Sequence, residues 1–389
     1  MPKIVLGVCG SIAAYRAADL ARDLMRAGCE VRVCLTDSAQ KFVTPILFET
    51  LTGNPCLIDT FDEPERGRMA HLDWARQADL LLIAPASANT INKLANGIGE
   101  DMLTTIALAF EGPMMLAPAM NPAMYQHPET QASLNNLVEH GATLIEPTEG
   151  DVVAGESGQG KLAGNAEIVG TALALLNRSN LLAGKRVLIT SGPTQEPIDS
   201  VRFLSNRSSG KMGSALAQAA LLMGAEVKVI AGPSMAIYPR NAHVIEVRTA
   251  EEMHKAALAE LSSCDLAIGA AAVADYRPSN PQEGKIRRSD DAISLDLVPN
   301  PDIIAELAKS GKRTVGFAAE PSTDLTVAIA KIQRKGLYAI AHNDVSNRGI
   351  GFESDKNQIT LIRADGVQET SPLASKLLVA LWLLERIAE

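Results

Sequence analysis

Short apolar runs, each delivered into a small-residue loop and then a helix-period stretch, set the tightest limit on what this chain can fold into. Asp79–Ala84 (DLLLIA) is apolar on both alternating faces, as a strand covered from both sides must be. Lys3–Val8, Val31–Leu35 and Met114–Ala117 read as companion strands. Between the first two, Ile12–Ala27 reads as one helix, with Leu20 and Leu24 on a common face and Gly28 as its stop. The pattern restarts at Gly184, with strands expected at Lys185–Thr190, Glu226–Ala231, Asp265–Gly269, Arg313–Phe317 and Leu337–Ala341. Gln358–Arg363 and the turn Ala364–Gly366 suggest a hairpin, and Ser371–Ala388 a closing helix. Alternation of this kind predicts an α/β protein of two doubly wound domains, each a mostly parallel sheet covered by helices. The polar-to-glycine stretch Asn177–Gly184 places the boundary near 180, giving domains 1–180 and 181–389.

Composition narrows the class. The 389 residues are 47% hydrophobic with net charge −9, enough for a core in each half. No basic tail or long basic run is present, so no nucleic-acid partner is expected. The five cysteines are odd in number and fit neither zinc nor disulfide spacing, which suggests reduced thiols and a cytoplasmic protein. No apolar run reaches ~18 residues and Ile4–Val8 is too short for a signal core, so neither membrane nor export is expected.

In the first half, Gly7-Val8-Cys9-Gly10-Ser11-Ile12-Ala13-Ala14 spans a strand-to-helix junction. Such a loop either packs helix on strand or lets a phosphate approach free N–H groups. Ala84-Pro85-Ala86-Ser87-Ala88-Asn89-Thr90 is a second loop of this kind, in which Ser87 either caps a helix or meets a ligand. Asn121, between Met120 and Pro122, is a turn residue or an amide that grips a carboxylate. His71 in Ala70-His71-Leu72-Asp73-Trp74 is structural or, beside a redox cofactor, a candidate base.

GVCGSIAAY, AHLDWARQADLLLIAPASANT and PAMNPAMY together resemble the flavin-containing cysteine decarboxylases. More narrowly, they resemble the N-terminal half of the bacterial bifunctional phosphopantothenoylcysteine decarboxylase/phosphopantothenate–cysteine ligase family, from about Lys3 to about Gly164. The resemblance implies a flavodoxin-like domain holding FMN, with Gly10, Ser11, Ile12, Ser38, Pro85, Ser87, Ala88 and Asn89 at the cofactor. It implies that His71 is the catalytic histidine, that Asn121 holds the substrate carboxylate, and that sites form between the subunits of a trimer. The flap departs from the family pattern: Ala154 stands where many members carry a proton-donating cysteine, and no cysteine lies between Cys56 and Cys264. Glu156, Ser157 or water is then the candidate donor, the alternative being a decarboxylase impaired at this step.

In the second half, Ser191-Gly192-Pro193-Thr194-Gln195-Glu196-Pro197-Ile198-Asp199 leads to Val201-Arg202-Phe203-Leu204-Ser205-Asn206-Arg207-Ser208-Ser209-Gly210-Lys211-Met212-Gly213 and a helix. Amides, hydroxyls and cations before a helix suit an anion, although the spacing is not that of a Walker A loop. Ser208 and Ser209 either cap that helix or contact a ligand.

SGPTQEPIDSVRFLSNRSSGKMG, AAVADY, EGKI, NPDI, GFAAE and AHNDV follow the order seen in phosphopantothenate–cysteine ligases, over Gly184 to about Gly366. The resemblance implies a Rossmann-like, CTP-dependent ligase that joins 4′-phosphopantothenate to cysteine through an acyl-cytidylate, with Mg2+ and Asp275 as its candidate ligand. It implies that Lys285 supports activation and that Asn206 handles the acyl-cytidylate. Gly269, Ala270, Ala271, Asp275, Lys285, Pro301, Asp302, Ile303, Ile304, Phe317, Lys331 and Lys335 match its CTP site, and Arg202 and Arg207 are candidate phosphate contacts. Ligase dimers and decarboxylase trimers together imply a homo-oligomer, up to a dodecamer. The product expected from both halves is 4′-phosphopantetheine.

Overall fold

A strand such as Leu80–Ala86 (LLLIAPA), buried at every position, can exist only inside a sheet covered on both faces. The computed structural model, which describes residues 1–61, 67–151, 157–176, 179–287, 293–320, 324–344 and 354–388, builds two such sheets. They belong to two compact units, Met1–Asn177 and Arg178–Glu389.

In the first unit the strands lie in the spatial order Cys56–Leu57, Glu30–Leu35, Lys3–Val8, Leu80–Ala86, Met114–Pro118, Thr143–Leu144, all parallel. The chain steps outward from Lys3–Val8 in one direction, then returns to its other side with Leu80–Ala86. This reversal opens a crevice at the carboxyl ends of those two strands. Val5, Leu81, Ile83, Leu103, Ile106 and Leu116 form the core below it.

The second unit repeats the device. Its eight strands run His243–Glu246, Glu226–Ala231, Arg186–Ser191, Leu266–Gly269, Arg313–Glu320, Ala339–Asp344, Thr360–Arg363, Gln368–Thr370. The first six are parallel and the last two form the antiparallel hairpin expected from the sequence. The reversal lies between Arg186–Ser191 and Leu266–Gly269. Ile189, Leu216, Val229, Ile268 and Leu383 share one core. Among the described residues no helix is long and apolar enough to cross a membrane.

Several boundaries differ from the sequence reading, among them the strand expected at Arg313–Phe317, which runs on to Glu320, and three have a local cause. Ile12–Ala27 is not one helix: Ile12–Tyr15 is a 3-10 turn and Arg16–Arg26 the α-helix, because the Ser11 side chain accepts from Ala13 N and tightens the start. The strand placed at Leu337–Ala341 begins at Ala339, since Leu337 N still donates to Ile332 O in closing the preceding helix. The last helix starts at Lys376, not Ser371. Pro372 has no N–H to give, the Ser371 hydroxyl is bonded to Ile359 N and Pro372 O, and Ala374–Ser375 pairs with Lys356–Asn357.

Ile189 is fully buried at the centre of the second sheet. Ile189→Ala should cost about 2–5 kcal/mol. Urea unfolding followed at Trp382, in a Trp74→Phe background, reads that loss; a change below about 1 kcal/mol would mean the core collapses onto the void.

Candidate active sites

Four loops at the carboxyl edge of the first sheet surround a cavity of about 800 Å³, bounded by Gly10–Ala13, Thr36–Ser38, Ser87–Thr90 and Ala119–Asn121, with Gly160–Leu162 across the top. The loops interlock where small residues allow it. A Cβ on Gly10 would stand 2.3 Å from Ser38 Cβ, so glycine lets these two loops touch. Ser11 and Ser87 both serve as N-caps, Ser87 accepting from Thr90 N at 3.4 Å. Asn121 likewise caps a turn, its Oδ1 accepting from Ala123 N at 2.8 Å. Capping and ligand contact are therefore not exclusive: the capping residues themselves line the cavity.

Of the residues singled out in this half, Gly10, Ser11, Ile12, Ser38, Ser87, Ala88, Asn89 and Asn121 come together around the cavity. Pro85 does not line it; its carbonyl accepts from Cys9 N at 3.1 Å and ties the two strand ends together. His71, on the helix Ala70–Gln77, does not line it either. Its Nδ1 is buried without a hydrogen-bond partner among the described residues. Ala154 and Glu156 lie outside the described residues.

Two cations at this cavity carried no sequence signal. Arg16 donates to Leu162 O (2.7 Å), Ala163 O (2.9 Å) and Asn165 Oδ1 (3.1 Å), fixing the stem that follows Ser157–Lys161. Lys93 is held by Glu100 at 2.7 Å and Asp101 at 3.5 Å; the Glu100 hydrogen bond is the main reason its pKa rises above the usual lysine value. The thiol of Cys9, just below, is pushed up by burial and so is a poor nucleophile.

The second cavity, about 580 Å³, opens at the corresponding edge of the second sheet. Gly269, Ala270, Ala271, Asp275, Pro301, Asp302, Ile303, Ile304, Phe317 and Lys335 all line it, as do Asn206 and Arg207. A Cβ on Gly269 would stand 2.4 Å from Ile304 Cδ1, so glycine leaves room for the Ile304 side chain where the strand end meets the helix Ile303–Lys309. Asp302 caps that helix and holds Lys335 Nζ at 2.9 Å. Asn206 Nδ2 donates to Val273 O at 2.9 Å, which fixes the amide against the AAVADY loop. The helix Lys211–Leu222 begins at Gly210 (φ 72°) with no side-chain cap, so neither Ser208 nor Ser209 is its N-cap.

Lys331 lies off the cavity, paired with Glu320 at 2.5 Å. Lys285 is exposed and also off the cavity, and Arg202 pairs with Asp199 at 2.9 Å. Asp275 has no carboxylate cluster around it: among the described residues no group of three or more His, Cys, Asp or Glu is arranged to hold a metal. A Mg2+ here fits only as the companion of a polyphosphate, which supplies most of its oxygen ligands.

Lys376 is the residue that sequence reading missed in this half. It lines the cavity from the start of the last helix and is 7% exposed. No motif marks it, because its place depends on the hairpin that carries the chain back.

Family models match both units. Residues 1–177 match the Flavoprotein family, and residues 182–389 match the DNA/pantothenate metabolism flavoprotein C-terminal domain. The chain belongs to the family of coenzyme A biosynthesis bifunctional proteins. It is 42% identical over 379 residues to the coenzyme A biosynthesis bifunctional protein CoaBC of Vibrio cholerae, covering 96% of this chain and 94% of that one. Against CoaBC of Bacillus subtilis it is 42% identical over 390 residues, covering 99% and 96%. A cysteine/cysteine sulfinic acid decarboxylase of an unknown prokaryotic organism is 42% identical over 354 residues, covering 89% of this chain and 98% of that one. Membership makes the chain a bifunctional flavoprotein enzyme, a decarboxylase and a ligase in one polypeptide.

Two predictions test these cavities. A Cβ on Gly160 would stand 2.3 Å from Met120 O, a backbone atom. Gly160→Ala should therefore displace the loop bearing Asn121 and weaken flavin retention by about tenfold or more, read as flavin absorbance per chain after dialysis. Burial, then the charge of Lys211, lowers Lys376 from the ordinary 10.5 to about 8, with Asp355 opposing. Between those values the unfolded chain binds more protons than the folded one, so stability rises with pH across that window. Urea midpoints of wild type and Lys376→Met should diverge from pH 8 to 10, wild type gaining; parallel curves would refute the lowered pKa.

Proposed function

We propose that the second unit joins 4′-phosphopantothenate to cysteine with CTP, and that the first unit decarboxylates the resulting 4′-phosphopantothenoylcysteine to 4′-phosphopantetheine with FMN. The observation that carries this reading is the pair of cavities at the two topological switch points, each assembled from its own ordered set of motifs.

In the ligase a free carboxylate is too poor an electrophile to meet an amine, so it must first displace pyrophosphate from the CTP α-phosphate. Gly269, Ala270 and Ala271 let the nucleotide approach the sheet edge, and Phe317 offers a face to its base. Lys335, and Lys285 brought in on its segment, offset the phosphate charge that builds up during displacement. Mg2+ would travel with the nucleotide, and Asp275 would be the protein carboxylate that holds it. Asn206, its Nδ2 committed to Val273 O, uses Oδ1 to accept an N–H of the attacking cysteine amine and so orients it.

In the decarboxylase the Gly10–Ile12 and Ser87–Asn89 loops cradle FMN, which supplies the two-electron chemistry that turns the cysteinyl thiol into an electron sink. Asn121 holds the carboxylate that leaves as CO2. His71 acts as base in the cavity of a neighbouring copy, which accounts for its absence from the cavity of its own chain. The assembly is thus a homo-oligomer with trimeric decarboxylase contacts and dimeric ligase contacts, working in the cytoplasm.

Mass spectrometry of products tests both halves together. With 4′-phosphopantothenate, cysteine, CTP and Mg2+, 4′-phosphopantetheine should accumulate. Build-up of 4′-phosphopantothenoylcysteine or its oxidised enethiol would retain the ligase and mark the first half as incomplete, as Ala154 allows. Untouched CTP would refute the ligase. Cysteine supplied alone should remain intact; its decarboxylation would move the first half toward the activity of the third relative.

A further inference from the structure

Lys285 sits on an exposed segment away from the cavity, yet the activation step needs its ammonium at the nucleotide. At the centre of what holds that segment is a buried carboxylate. Asp199, its side chain fully buried, accepts Val201 N and Arg202 N on Oδ1 (2.7 Å each). On Oδ2 it accepts Arg202 Nη1 at 2.9 Å and Ile286 N, the residue after Lys285, at 3.0 Å. Around this carboxylate the two segments are stitched together: Gln282 N to Ile198 O (3.0 Å), Gly284 N to Ser200 Oγ (2.9 Å) and Arg202 Nη2 to Ile286 O (3.3 Å). Burial works against the charge on Asp199, but the N–H groups of Val201, Arg202 and Ile286, with the Arg202 guanidinium, hold its pKa below the ordinary carboxylate range. Neither Asp199 nor Arg202 lines the cavity, and both are committed to the bonds just described.

We propose that Asp199 is a positioning residue for carboxylate activation: it anchors the segment that bears Lys285 on the 198–202 turn and so limits where the Lys285 ammonium can reach. This rests on the role given to Lys285 above. A carboxylate that only closed its own turn would need the Val201 and Arg202 donors; the bond to Ile286 N is the one that reaches Lys285.

The test uses the full chain with 4′-phosphopantothenate, cysteine, CTP and Mg2+, reading steady-state pyrophosphate release for Asp199→Asn, Lys285→Gln and the double variant. Urea unfolding followed at Trp382, in a Trp74→Phe background, checks that the second unit is folded, and hydrogen exchange of the 282–287 peptide reads the anchor itself. Asp199→Asn should lower kcat by about tenfold or more, with KM for CTP changed far less, and should speed exchange in that peptide. In the double variant it should add little to Lys285→Gln. Ser200→Ala, which removes only the bond to Gly284 N, should shift kcat and exchange the same way but less. Unchanged exchange in Asp199→Asn, or the same fold-loss in both backgrounds, overturns the proposal. If Lys285→Gln alone leaves pyrophosphate release intact, the role of Lys285 fails and this inference with it, even where exchange still responds.

Discussion

Both cavities are walled by close contacts that glycine makes room for. Gly10 meets Ser38, Gly160 meets Met120 O, and Gly269 meets Ile304, each where a Cβ would lie 2.3–2.4 Å from a neighbouring atom. These contacts lie at the carboxyl edges of parallel sheets, where successive strands diverge and leave a crevice. Burial on both faces fixes the strands, as in the fully covered Leu80–Ala86. The loops then have little freedom except where glycine and alanine give it. A ligand-sized space so results from rigid strands below and tightly packed small residues above.

Charge is distributed differently over the two edges. In the first unit Lys93 is enclosed by Glu100 and Asp101, and Arg16 is spent on carbonyls, so the cavity wall is shaped by cations already satisfied. In the second unit Arg207, Lys211, Lys335 and Lys376 line one space, and Lys376 is depressed by burial and by Lys211. A lysine buried beside a second cation is costly in its charged form, and an anion in the cavity relieves that cost. Such a wall suits substrates that bring several phosphates.

Much of the fold was legible because buried parallel strands leave an unambiguous run in sequence, and glycine marks where helices end. The misplaced boundaries have local causes: Ser11 tightening the Ile12–Tyr15 turn, and Pro372 with the Ser371 hydroxyl delaying the last helix to Lys376. The cavity-lining loops were legible as motifs in order. What was not legible depends on contacts across long stretches of chain. Arg16 reaches Leu162, Asp199 reaches Ile286, and Lys376 is brought to the cavity by a hairpin; no spacing rule announces any of these. His71 was legible as a candidate, but its place off its own cavity was not.

The most strongly held carboxylates here are engaged with backbone, not with the cavities. Glu196, 1% exposed, accepts from Ala250 N at the start of the helix Ala250–Leu261, and Asp199 gathers three backbone N–H groups and an arginine. A lowered pKa or a buried charge would ordinarily draw attention as a sign of catalysis. In this enzyme the sign points one step back, to groups that set the path of the loops. That division suits a ligase whose substrates carry their own anions: Glu196 and Asp199 stay inside the scaffold, while Asp302 and Asp355, which hold the cavity-lining Lys335 and Lys211, stand where substrate phosphates would compete with them.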